Sequence, residues 1–320
     1  MAIVLLVWQG SLSEIGPALR SANAWQIAAG LILYLFGLVL LCIRWSVLVR
    51  MIEGKPDVLV ASEAFITSVA MNYAAPLSLA IPGRALLTMR ALGLNRSQTA
   101  GLSFWEVAVD LLVLAAGTVI WVLAGGWRGE GLDGVDRSWA IGGVVLGVIA
   151  LVTIVAAVTT IKRLRSLALS LLGKIGPSLR HPWDRPWPAS ISLLLTVVFW
   201  IDQGAVIAVL LTAIDGDRPD MLLVLGLVTF PILIGMLSPV PGGAGIREAL
   251  MIAVAGVHGA NEASVLLAGV TYRIALFSAL PVLYLVIRGL LHIRDGERGT
   301  IATDASSTVL TAPGGDRESE

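Results

Sequence analysis

"MLLVLGLVTFPILIGMLSPVPGGAGIREALMIAVAGV", Met221 to Val257, is apolar almost throughout, yet its middle holds Pro239, Pro241, Gly242, Gly243 and Gly245, followed by Arg247 and Glu248. Proline stops a helix by removing an N–H and clashing with the preceding turn, and glycine permits backbone shapes that other residues resist. The stretch therefore reads as two apolar half-helices around a break, the second starting near Ala244 with Arg247 and Glu248 in its first turn. Half-helices of this length do not cross a hydrocarbon core of about 30 Å comfortably. Joined by a break, they make a re-entrant hairpin that enters and leaves on one side. Irregular backbone survives at membrane depth only where it is buried in protein or lines a polar cavity.

The rest of the chain supplies the membrane. Of 320 residues, 57% are hydrophobic and 14% charged, and the mean hydropathy is +0.86. A soluble surface is seldom so apolar. Apolar blocks near bilayer length recur, such as "AWQIAAGLILYLFGLVLLCI" from Ala24 to Ile43. Full spans are expected at 24–50, 98–124, 138–160, 188–214 and 262–291, with a second interrupted region at 58–94 carrying Pro76, Pro82, Gly83 and Arg84. The fold class is thus an all-α polytopic membrane protein of about five transmembrane helices plus two re-entrant hairpins. Residues 1–23 form a short apolar segment and loop, and the tail 295–320, polar and rich in Ser, Thr and Gly, is expected to be disordered in the cytoplasm.

Loop charges agree with this count. The segment 161–187 carries Lys162, Arg163, Arg165, Lys174, Arg180 and Arg185 against the single acid Asp184, whereas "DGDRPD" at 215–220 is net acidic. Positive loops face the cytoplasm, so 125–137 and 215–220 are expected outside, and 161–187 and the C-terminus inside, a plasma membrane. Counting both hairpins as full pairs of spans leaves these loops on the same sides, and that alternative stays open.

An offset of 163 residues superposes the interrupted regions: Pro76 on Pro239, Arg84 on Arg247, Leu87 on Leu250, Gly93 on Gly256 and Ala100 on Ala263. Three spans separate the copies, so they lie in opposite orientation. Repeat one covers about 24–124, a linking span 138–160, and repeat two about 188–291, all within one transmembrane domain at 24–294. Inverted repeats with broken helices put their binding sites near the midplane.

Charges inside spans narrow the candidates. A charged side chain at a helix centre costs ~2.5–3.5 kcal/mol on insertion scales, yet Glu106, Asp110, Asp202 beside Gln203, and Arg273 all fall within apolar blocks. Asp110 and Arg273 are related by the same offset, which makes an ion pair between them the natural expectation. Arg44 sits close enough to a span end to snorkel to the interface. Free N–H groups at a half-helix N-terminus favour an anion, and an arginine there adds a planar grip on phosphate or carboxylate. This makes Arg247, Glu248, Gly242, Gly243 and Gly245, with Gly83 and Arg84 from the opposite side, the expected anionic-headgroup site.

Other chemistries find little support. The net charge is zero, which gives no field for nucleic acid, and Cys42 is the only cysteine, which excludes an internal disulfide. His181, His258 and His292 are scattered without metal-ligand spacing, so neither a metal nor a cofactor is expected.

"PGGAGIREAL" (Pro241 to Leu250), a following small-residue run, Arg273 in the last span, "RWSVLVR", Asn72 with Pro76, and "PGRALL" together resemble the lysylphosphatidylglycerol synthase transmembrane region, a flippase-like family. The resemblance covers roughly 24–290. It implies translocation of an anionic or aminoacylated phospholipid, or a polyprenyl-phosphate lipid, between leaflets. It equally implies, as the alternative, a non-transporting subunit that scaffolds an envelope lipid- or glycolipid-modifying enzyme or glycosyltransferase. Pro241, Gly242, Gly243, Gly245, Arg247 and Glu248 match the family's motif. The soluble aminoacyl-transferase domain of the full synthases is missing here, so no enzymatic activity is expected. The first half also lacks the acidic residue that often follows Gly-Arg there.

Overall fold

The computed structural model describes residues 23–53, 57–74, 88–90, 92–126, 181–238, 240, 243 and 245–310, without side chains at 53, 71–74, 96, 181 and 295–310. The expected span 138–160, most of the basic loop, and Pro76, Pro82, Gly83, Arg84, Pro239, Pro241 and Gly242 lie outside those residues. Every described element is helical.

The helices are α1 (Ala24–Glu53), α2 (Val58–Ala74), α3 (Arg96–Trp121, extended by a π turn to Gly126), α4 (Pro186–Asp215), α5 (Met221–Leu237), α6 (Ile246–Val257) and α7 (Glu262–Leu310); a single turn, His181–Asp184, precedes α4. Four have the length and apolarity to cross a membrane: Ala24–Ile52, Ser97–Gly126, Pro186–Asp215 and Glu262–Arg294. At 1.5 Å per residue, α5 with 17 residues and α6 with 12 fall short of a ~30 Å core. The backbone of α7 is helical across 295–310, where composition favours disorder; no proline falls there before Pro313.

Helix ends follow local chemistry. Asn95 caps α3 by accepting from the Gln98 N–H at 2.9 Å, while the Gln98 side chain accepts from the Asn95 N–H at 2.9 Å. Asp220 caps α5 through the Leu222 N–H, and Gly216 closes α4 with φ +84°.

Polarity runs inward. Along α4, Leu194 and Ile201 are 62% and 68% exposed, whereas Asp202 and Gln203 are 7% and 1% exposed. A water-soluble helix bundle does the reverse, and only a lipid surround stabilises this arrangement. The chain is a multi-pass helical membrane protein.

Contacts sort the helix ends into two groups. At one end, Asn23 donates to the Ala213 carbonyl (3.0 Å), His258 lies 3.9 Å from Asp220, and Trp121 Nε1 donates to His258 Nε2 (3.2 Å). The start of α5 and the end of α6 are therefore neighbours. At the other end, Arg185 donates to the Arg50 carbonyl, Arg294 pairs with Asp57, Arg288 pairs with Glu63, and Trp105 packs on Trp183. Here α2 and α3 both begin. The most extensive packing joins α1 to α4 and α3 to α5. Small residues permit both: a Cβ on Gly117 of α3 would lie 2.5 Å from Thr229 Cγ2 of α5.

Candidate functional site

Three polar groups meet around a cavity of about 250 Å³ lined by all seven helices, α1 to α7. Its polar lining includes Arg44, Glu106, Asp110, Gln203, Arg247 and Tyr272.

The first group is an ion-pair cluster. Arg44 is 2% exposed and forks onto Asp110, with Nη1 to Oδ1 at 2.6 Å and Nη2 to Oδ2 at 3.1 Å; Nη2 also reaches Glu106 Oε1 at 3.0 Å. Thr196 Oγ1 accepts from Arg44 at 3.1 Å, and Trp200 Nε1 donates to Asp110 Oδ1 at 3.2 Å. One guanidinium thus serves two carboxylates spaced one helical turn apart on α3. The expected Asp110–Arg273 pair is replaced by this one, and Arg44 does not snorkel. The physical reason is geometric: a planar fork matches both oxygens of Asp110 and still reaches Glu106. Two mid-span carboxylates at i and i+4 were the signal that a third, cationic residue must face them.

The second group surrounds the break. Gly243 has φ +63°, and a Cβ there would sit 2.8 Å from the Gly235 Cα, so the chain crosses the end of α5 at a distance only glycine allows. Gly245 has φ +83° immediately before α6. Glu248 turns back to this start: its Oε2 accepts from the Gly245 N–H at 2.6 Å, and its Oε1 lies 2.6 Å from Arg273 Nε. Glu248 and Arg273, both expected to be functional, here tie the break to the last span. Arg247 takes the other direction. It is 8% exposed, lines the cavity, and holds its guanidinium carbon 4.6 Å from the centre of the Tyr272 ring. Its Nη2 has no hydrogen-bond partner among the described residues.

The third group joins the others. Tyr272 donates through its hydroxyl to Gln203 Oε1, and Gln203 Nε2 donates to Asp202 Oδ2 at 3.0 Å. Tyr34 meets Tyr272 edge-on at 5.0 Å. Gly37 of α1 makes room for this pair, since a Cβ there would fall 2.5 Å from Asp202 Oδ2 and 2.6 Å from Gln203 Nε2.

This arrangement can hold an anion. A buried donor without a partner costs about 1–3 kcal/mol, and Arg247, which carries one, lines a cavity just below the usual volume of a ligand pocket, about 300 Å³. Glu106 and Asp110, both held by Arg44, line the same cavity. Sequence reasoning overlooked Tyr272 and Trp200, because an aromatic in an apolar span carries no signal of its own.

A family model described as lysylphosphatidylglycerol synthase TM region matches residues 1–283. Searches of curated proteins and of solved structures gave no match.

Proposed function

The chain belongs to the lysylphosphatidylglycerol synthase TM region family, and from that premise we propose that it moves a lipid between leaflets rather than catalysing a covalent step. The substrate class is an anionic or aminoacylated phospholipid, or a polyprenyl-phosphate lipid. One observation carries this reading: Arg247, buried at the start of a half-helix, lines a cavity of about 250 Å³ while its Nη2 has no hydrogen-bond partner among the described residues. The N-terminal N–H groups of α6 and the charge of Arg247 converge on one anion. The carboxylates on the opposite wall suit an ammonium on the same headgroup. Acyl chains stay in the bilayer, against the apolar outer faces of the helices.

The transporter plan of two inverted hairpins accords with the helix ends. The α5–α6 segment begins and ends at one end of the bundle, and α2 and α3 both start at the other. In this reading the membrane is the plasma membrane, the C-terminus is cytoplasmic, and membrane lipids are the partners.

The test is dithionite quenching of fluorescent lipids in proteoliposomes. Wild-type protein should exchange an anionic lipid, Arg247→Ala should lower the rate at least tenfold while staying folded, and Arg247→Lys should recover part, since an ammonium keeps charge but not the planar fork. Exchange unaffected by Arg247→Ala would remove the site. No exchange of any anionic, aminoacylated or polyprenyl lipid by wild type would favour the scaffolding role.

A further inference from the structure

Most of the core charges described here are matched locally. Glu106 and Asp110 share Arg44, and Glu248 has Arg273. Among the described residues, two buried charges are left over. Asp202, 7% exposed, receives a hydrogen bond only from Gln203 and has no cation beside it, while Arg247, 8% exposed, has no carboxylate. These two are linked through neutral side chains: Asp202 to Gln203, Gln203 to the Tyr272 hydroxyl, and the Tyr272 ring to Arg247.

We infer that Asp202 takes up a proton when the Arg247 site takes up an anion, so that the two enter the membrane core together. The inference rests on the reading of Arg247 as the headgroup site. In the empty cavity, the lone carboxylate and the lone guanidinium compensate each other across two residues in a low-dielectric core. An anion on Arg247 cancels that guanidinium charge and leaves Asp202 uncompensated. A proton from the aqueous phase, bound to an Asp202 carboxylate oxygen, restores neutrality.

The neighbours offer no substitute. On α1, Asp202 faces Gly37, and the nearest charge on that helix, Arg44, is already forked onto α3. On α7 it reaches only Tyr272, through Gln203, and Arg273 is held by Glu248. Next to Asp202 on α4, Gly204 meets Val224 of α5, which is uncharged. A metal cation fits poorly, since one carboxylate beside an amide N–H donor offers too few oxygens. The Gln203 amide also supplies the coupling. With Asp202 ionised, its NH₂ faces the carboxylate and its oxygen faces Tyr272; a protonated Asp202 donates, which favours the flipped amide and alters the support beneath Arg247.

The experiment uses purified full-length protein and dioctanoyl-phosphatidylglycerol, an anionic lipid soluble enough to titrate. Binding is followed by tryptophan fluorescence and proton uptake by an indicator dye in weak buffer. Wild type should take up about one proton per lipid bound, and its affinity should fall about tenfold per pH unit on the alkaline side. Asp202→Asn should bind with no proton uptake and no pH dependence, whereas Asp217→Asn, an exposed carboxylate beyond the end of α4, should keep both. Asp202→Ser serves the same comparison where the amide variant does not fold. Lipid binding without proton uptake in wild type would overturn the linkage and leave the anion site standing. No binding by wild type at any pH would overturn the anion site, and the linkage with it. Uptake that survives in the Asp202 variants would assign the proton to another group.

Discussion

Arg44 and Arg247 line the same cavity under opposite conditions. Both terminal nitrogens of Arg44 are engaged, by two carboxylates and a threonine hydroxyl, so its removal leaves Asp110 without its cation. Deleting one member of a buried pair typically costs ~3–5 kcal/mol. Arg44→Gln, which removes the cation that Asp110 and Glu106 share, should destabilise the protein by that order. Asp110→Asn should cost less, because one guanidinium then still faces one carboxylate, Glu106. The double variant should recover part of the Arg44→Gln loss. Thermal unfolding in detergent ranks the three, and equal damage from both single changes with additive loss in the double would show that the residues act independently. The charges themselves were readable in the sequence, since an acidic residue in an apolar block needs a reason. Their pairing was not. The offset relating Asp110 to Arg273 is a relation along the chain, whereas partnership depends on which faces of α1, α3 and α7 turn inward.

At the scale of elements, the end of the α5–α6 hairpin is held by His258. Its Nε2 accepts from Trp121 of α3, which leaves Nδ1 to carry the proton toward Asp220, the N-cap of α5. Burial lowers the pKa of His258 below its ordinary value of 6.5, with Asp220 opposing the shift. A group held below its unfolded pKa contributes stability that is present above that unfolded value and is lost as pH falls through the folded one. Acidification adds a proton at Nε2 and abolishes the acceptor that Trp121 uses. The midpoint of thermal unfolding should therefore drop between about pH 7 and pH 5, and His258→Gln, whose amide oxygen still accepts, should flatten that dependence. An identical slope in wild type and His258→Gln would assign the acid sensitivity elsewhere. The half-helices were legible because Pro and Gly punctuate an apolar run. The conformation that makes the break was not, since Gly243 is required by the approach of Gly235, a residue of another helix.

For the whole molecule, composition alone indicated a helical membrane protein, and four of the expected spans correspond to α1, α3, α4 and α7. The cavity was beyond reach because it arises where seven helices fail to fill space, a property of packing rather than of any segment. Sidedness is open to direct measurement. Asp217 and Asp184 are exposed and sit near opposite ends of α4. With Cys42 replaced, Asp217→Cys should react with an impermeant thiol reagent from outside intact cells and Asp184→Cys only after permeabilisation. Labelling of both from one face would overturn the arrangement of spans.

The nearness of Asp220 and His258 also bears on how the chain enters the membrane during synthesis. In the proposed re-entrant reading, the α5–α6 segment departs from and returns to the same face and carries no hydrophilic loop across the bilayer. The insertion machinery can therefore settle the orientation of α4 and α7 before the intervening residues find their depth. The part of the chain with the most demanding backbone is thereby relieved of any role in directing the others, and its sequence is free to answer to the cavity alone.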